Sequence, residues 1–122
     1  MTLQELYQEI EGDYDQAIRV LRIEKLIDKH IRKFPTNGVA DSLLKAGETM
    51  DAQGLFEAAH ALKGICGNLG LVRIAALADQ ITEEFRPGNT RRKTDDEVKD
   101  LLQQTADLCS HTSAGIARYA EG

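Results

Sequence analysis

The chain is poor in the residues on which several common kinds of site depend. It has no tryptophan, and aromatic residues make up 5% of its 122 residues, so it offers few platforms on which nucleobases or sugars could stack. Two cysteines are too few for a disulfide framework, and no signal-like or membrane-length apolar run occurs. These shortages predict a protein of the reducing cytoplasm with no membrane-spanning segment.

The charge balance narrows the class of partner. Lysine and arginine number 15 against 20 aspartates and glutamates, and the resulting net charge of −5 disfavours general attraction to nucleic acid or to an anionic membrane. Hydrophobic residues at 42% and charged residues at 29% are typical of a soluble globular protein. The length predicts a single domain over residues 1–122.

Helical periodicity runs through almost every segment, and no strand-like alternation competes with it. Thr2 with Glu5, and Thr94 with Glu97, each fit a capping box at a helix start. Whether the chain bends at Leu21–Arg22 stays open. The pattern predicts an all-α fold, an antiparallel up-and-down four-helix bundle with an additional short N-terminal helix or helices. Because each apolar stripe can be buried inside one such bundle, we expect a monomer.

Glycine is the residue that does not suit a helical composition, since the chain has ten glycines against two prolines. Gly70 is explained as a helix stop. Gly64 and Gly67, however, lie inside a stretch with an otherwise helical pattern, where each glycine costs about 1 kcal/mol relative to alanine. Gly67 could serve close packing of another helix, but a glycine on an exposed face indicates a need for bare backbone.

The two interior glycines share a helix face with a histidine and a lysine. At about 100° per residue, His60, Lys63, Gly64 and Gly67 fall within roughly 100° of one another, while Leu62 points nearly the opposite way. The apolar stripe faces the bundle, so we expect the histidine face to be exposed and open to the close approach of another molecule.

This combination of residue types suits the acceptance of a phosphoryl group. A neutral imidazole has one ring nitrogen with a free lone pair, which can act as a nucleophile. A lysine one turn away can neutralise negative charge on a group attached to that ring. Phosphoryl transfer depends mostly on positioning and charge stabilisation, and the segment offers His60 neither a carboxylate pair nor a metal-ligand partner.

These residues resemble the signature of the histidine-containing phosphotransfer (HPt) domain family of bacterial two-component phosphorelays. The run from His60 to Gly64, followed by Gly67 and Gly70, is similar to the sequence around that family's phosphoaccepting histidine. The likeness covers roughly residues 12–85, with the last predicted helix closing the family's four-helix core.

The resemblance implies a role for each of these residues. His60 would accept the phosphoryl group on an imidazole nitrogen, Lys63 would help to hold it, and Gly64 would permit docking of the partner. Gly67 lies on the same helix face, and we expect it to belong to the same docking surface. The partners would be receiver domains of response regulators together with an upstream histidine kinase or hybrid kinase. A receiver's aspartate and Mg²⁺ would do most of the catalysis, so this chain would carry no metal or cofactor of its own.

One position departs from the family pattern. Many members carry a glutamine about three turns into the next helix, near the phosphorylated histidine, where this chain has Thr82 with Gln80 nearby. These two residues are therefore the candidates for supporting His60.

Three functions stay open on the sequence. The leading one is a phosphorelay intermediate in signal transduction, a carrier rather than an enzyme, because no glycine-rich nucleotide loop is present. The second is the phosphoacceptor module of a chemotaxis-type histidine kinase. The third is a non-catalytic helical adaptor. A dimerising histidine-kinase module is disfavoured, since an acidic residue normally follows its histidine and here Ala61 follows.

The remaining reactive residues have ordinary interpretations. We expect His30 and His111 to be surface residues, and Cys66 and Cys109 to be buried thiols that act as small hydrophobic side chains. The basic run within residues 86–93 is interpreted as a solvated loop.

Overall fold

The computed structural model describes all 122 residues, and its regular secondary structure is entirely helical. No helix is both long enough and apolar enough to cross a membrane. The seven α-helices are α1 (Leu3–Glu9), α2 (Tyr14–Leu21), α3 (Glu24–Lys33), α4 (Val39–Glu48), α5 (Ala52–Asn68), α6 (Val72–Phe85) and α7 (Asp95–Glu121). A short 3₁₀ turn, Phe34–Thr36, follows α3.

The last four helices form the bundle. Each of them contacts two neighbours, in the cyclic order α4, α5, α6, α7 and back to α4. The three short N-terminal helices pack on its outside, α1 and α3 against α7 and α2 against α5. The predicted four-helix bundle with additional N-terminal helices is therefore confirmed.

The core contains 24 buried apolar residues contributed by all seven helices and the 3₁₀ turn. Both cysteines belong to it as free thiols, as predicted. Burial raises the pKa of the Cys66 thiol, and it raises the pKa of the Cys109 thiol to about 11. Both predicted capping boxes are also present, at Thr2 and at Thr94. Hydrophobic spacing and cap chemistry thus account for where most of the helices lie.

The chain does bend between α2 and α3. Arg22 follows the last residue of α2 with φ of 77°, and this positive φ ends the helix. Ile23 is extended and precedes the first residue of α3. The question that the sequence left open is thereby decided in favour of two helices.

The C-terminal end of α5 is held by the N-terminal helices. The Tyr7 hydroxyl donates a hydrogen bond to the carbonyl of Leu69 at 2.7 Å, and the amide of Asp13 donates to the carbonyl of Gly70 at 2.7 Å. Gly70 has φ of 69°, and a Cβ on it would overlap the carbonyl oxygen of Asp13. Gly70 is therefore required by the turn itself, as the helix-stop interpretation predicts.

The loop between α6 and α7 is anchored by a buried carboxylate. Oε2 of Glu84 accepts hydrogen bonds from the amides of Arg92 at 3.0 Å and Lys93 at 2.8 Å, and from Nε of Arg91 at 3.3 Å. Burial alone would raise the pKa of Glu84, but these hydrogen bonds outweigh it and the pKa is lowered. Arg91 and Arg92 stay exposed, in agreement with a solvated loop.

Candidate functional site

His60 lies on the outward face of α5. Ala59 and Leu62, on either side of it in sequence, are fully buried, so the register of the helix turns His60 to solvent. The predicted exposure of this face is confirmed, because His60 and Gly64 are exposed while Lys63 and Gly67 are partly buried.

The imidazole ring of His60 stacks on Phe56, one turn earlier on the same helix. The two ring centroids are 5.7 Å apart and the ring planes are 11° from parallel. Residues four apart on a helix are neighbours, so this contact follows from the sequence spacing. The side-chain hydrogen bonds of α5 join Gln53 to Glu57 and Lys63 to Asp79, and none involves His60. The ring is therefore held from one side while both of its nitrogens remain unpaired within the chain.

The two glycines next to His60 leave the backbone without side chains, and no contact within the chain explains why side chains are missing there. A Cβ added to Gly64 or Gly67 would meet no atom within 4 Å. The interpretation of Gly67 as a residue that permits close helix packing does not fit this open space. The carbonyl of Gly67 accepts a hydrogen bond from Nε2 of Gln16 on α2 at 2.8 Å.

Lys63 does not extend freely into solvent. Its ammonium forms an ion pair at 2.7 Å with Oδ1 of Asp79 on α6, and the two side chains are 43% and 46% exposed. The charge that was expected to face a group on His60 is thus partly engaged by a carboxylate.

A second ion pair lies further along α6. Arg86 donates hydrogen bonds to the carboxylate of Glu83 from Nε and Nη2, with the shortest distance at 2.8 Å. Its guanidinium lies 5.4 Å from the ring centroid of Phe56. The pKa of Glu83 is lowered, first by the hydrogen bonds from Arg86 and further by the charges of Arg86 and Lys63. Two ion pairs, Lys63 with Asp79 and Arg86 with Glu83, therefore lie along the edge of α6 that faces α5.

Thr82 and Gln80 were the candidates for supporting His60, and neither forms a hydrogen bond with it. Thr82 is fully buried, and its hydroxyl donates to the carbonyl of Ala78 at 2.7 Å. Its one proton is thereby used within α6. Gln80 is exposed and lines a surface depression with Lys93 and Asp96, on the side of α6 that faces α7. Neither residue forms a hydrogen bond with His60, so the structure gives no support to this pair of assignments.

Phe56, Asp79, Glu83 and Arg86 were not singled out from the sequence. Phe56 could have been found, because it precedes His60 by one helical turn. Asp79 could not, since its contact with Lys63 depends on how α6 packs against α5. No group of three or more histidine, cysteine, aspartate or glutamate side chains lies together in a way that could hold a metal ion.

The arrangement offers an exposed nucleophilic ring, a cation one turn away and a cleared backbone. A model of the Hpt domain family matches residues 2–112, which extends the likeness to α1 and to most of α7. No curated protein and no solved structure shows significant similarity to the chain.

Proposed function

The chain belongs to the Hpt domain family, and on that basis we propose that it is a phosphorelay intermediate which accepts a phosphoryl group on His60 and exchanges it with receiver-domain aspartates. Membership of the family implies histidine phosphotransfer in two-component signalling. The observation that carries the assignment to this site is the open space above Gly64 and Gly67, beside an exposed histidine.

The chemical step needs little from this chain beyond the imidazole. The unprotonated ring nitrogen of His60 attacks the phosphorus of an aspartyl phosphate, a nitrogen–phosphorus bond forms, and the bond from phosphorus to the aspartate oxygen breaks. The aspartate leaves as a carboxylate, and the second ring nitrogen keeps its proton. The reverse transfer runs through the same atoms, so one site serves both as acceptor and as donor.

Stacking on Phe56 supports this step by limiting the orientations of the ring. A transferring phosphoryl group must lie in line with the attacking nitrogen, and a ring already held in place loses less freedom in reaching that geometry. Lys63 then supplies positive charge close to the phosphoryl oxygens.

The partner is a receiver domain, and the bare backbone is the surface that it approaches. No other part of the chain occupies the space above Gly64 and Gly67. A larger side chain at either position would therefore project into the space that the partner approaches. We further propose that Mg²⁺ is supplied by the receiver, that an upstream histidine kinase or hybrid kinase feeds the relay, and that the chain acts as a cytoplasmic monomer without a kinase site of its own.

The test is transfer from phosphorylated receiver domains in the presence of Mg²⁺. We expect phosphate on this chain that is acid-labile and alkali-stable, as a phosphorus–nitrogen bond is, and we expect mass spectrometry to locate it on His60. The variant His60→Gln should take no label. His111→Gln is the matched control, because His111 is also an exposed histidine on a bundle helix, and it should be labelled like the wild type.

Three outcomes would decide against the assignment. Label that survives in His60→Gln would move the acceptor elsewhere. Binding of receivers without any label would favour a non-catalytic adaptor. Label on His60 from ATP and a separate kinase domain, but from no receiver tested, would favour the chemotaxis-type phosphoacceptor module.

A further inference from the structure

The ion pair between Lys63 and Asp79 bears on the fate of a phosphoryl group on His60, and the argument rests on the function proposed above. Lys63 lies one turn from His60 on the same helix face, and it is the cation that a phosphoryl group on the imidazole would meet. In the unphosphorylated chain its ammonium is bound to Oδ1 of Asp79 at 2.7 Å.

A phosphoryl group changes the charge beside this pair. It brings nearly two negative charges and three acceptor oxygens, while a lysine ammonium has three donors and a single charge to share. Asp79 therefore does two things at once: it holds Lys63 near the site, and it places a carboxylate where the phosphoryl charge would be repelled.

We propose that Asp79 is a positioning residue that competes with the phosphoryl group on His60 for the ammonium of Lys63, and so shifts the transfer equilibrium toward the receiver. The other acidic residue on this edge of α6, Glu83, does not take the same part, because its carboxylate is bound by Arg86. A relay intermediate gains from such a residue, since a phosphoryl group bound too favourably on histidine would not pass onward.

The size of the effect follows from exposure. Both side chains of the pair are nearly half exposed, at 43% and 46%, and pairs in that environment contribute at the level of a 2- to 5-fold change in an equilibrium constant. A screened interaction of this kind should also weaken as salt is added.

The experiment measures how phosphoryl groups divide between His60 and a receiver aspartate at equilibrium. We expect Asp79→Asn to raise the ratio of phosphohistidine to phosphoaspartate about 2- to 5-fold at low ionic strength, and by less at high ionic strength. Asp107→Asn is the control: it removes the same charge from an exposed position on α7, where the carboxylate accepts from Gln103, and it should leave the ratio unchanged.

A second background separates action through Lys63 from a general charge effect. In Lys63→Gln chains, Asp79→Asn should change the ratio clearly less than it does in the wild type. An equal change in both backgrounds, an unchanged ratio in Asp79→Asn, or a ratio that falls would each overturn the inference. If the wild type takes no label on His60 at all, it is the proposed function that fails, and that outcome is distinct from the others.

Discussion

Two glycines in the interiors of bundle helices have opposite explanations. Gly47 on α4 is buried, and a Cβ on it would lie 2.5 Å from Cδ1 of Leu102 on α7. Gly64 on α5 is exposed, and a Cβ on it would meet no atom within 4 Å. The missing side chain is therefore explained by the chain's own packing in one helix and by nothing within the chain in the other.

The difference shows that a glycine which destabilises its helix can be explained either by packing within the chain or by the approach of another molecule. Each interior glycine costs about 1 kcal/mol relative to alanine. At Gly47 the close approach of α7 to α4 offsets this cost. At Gly64 no contact within the chain does so, which is the pattern expected where another molecule must come close.

The same division recurs at two adjacent acidic residues of α6. Glu84 is buried, and its hydrogen bonds hold the loop before α7. Glu83 is exposed and pairs with Arg86 on the edge that faces α5. The inward residue serves the fold, while the outward one belongs to the surface around His60.

The largest expected effect comes from filling the space at Gly47. Gly47→Gln should lower the free energy of unfolding by about 3 kcal/mol or more, because the new side chain overlaps Leu102 and buries an amide. Urea denaturation measures it. The same substitution at Gly64 meets open space and replaces a poor helix former, so it should not lower the free energy of unfolding and should raise it by up to about 1 kcal/mol. Equal losses at the two positions would remove the distinction between them.

The second effect is on transfer rather than on stability. Gly64→Gln should slow phosphoryl exchange with a receiver by about 10- to 100-fold, since a displacement of the partner by as little as 1 Å can cost that much. Single-turnover labelling measures the rate. Ala117→Gln places the same side chain on an exposed position of α7 and should leave the rate unchanged. A wild-type rate in Gly64→Gln would mean that the partner docks elsewhere.

The smallest effect concerns the two glutamates. Glu84→Gln should lower the free energy of unfolding at pH 7 by about 1–2 kcal/mol, because the charged hydrogen bonds to the loop are weakened, and Glu83→Gln should lower it less. The pKa of Glu84 is lowered from its ordinary value of 4.5. Its contribution is therefore present above that value and is lost as the pH falls toward the lowered pKa.

Chemical denaturation at a series of pH values checks this prediction. The difference between the wild type and Glu84→Gln should be largest near neutral pH and should shrink below about pH 4.5. A difference that stays constant down to low pH would mean that the ionised carboxylate is not what holds the loop.

Most of the helical architecture could be predicted from residue spacing. The capping boxes at Thr2 and Thr94 mark helix starts, and both are present. The outward direction of His60 was also predictable, because it depends on the periodicity of α5 alone. The bend at Arg22 was not, since a positive φ at a residue other than glycine leaves no mark in the apolar pattern.

The assignment of Thr82 shows the limit of transferring a family position onto a different residue. Thr82 follows Ala78 by four residues and precedes Phe85 by three, so the apolar stripe of α6 already indicates its burial. Its hydroxyl then bonds to the carbonyl of Ala78, as threonine in a helix commonly does. The spacing of its own helix was a better guide than the likeness at this position.

The sequence by itself determined the features that depend on one helix: where it begins, which face is apolar, and that His60, Lys63, Gly64 and Gly67 share the opposite face. These follow from a backbone period of about 3.6 residues per turn, which is the same in every helix. Only the tertiary structure decided which glycines are covered by a neighbouring helix and which face open space. It also decided that Lys63 pairs with Asp79. Such contacts depend on the register between neighbouring helices. Side-chain packing across the interface sets that register, whereas residue spacing along a single helix does not.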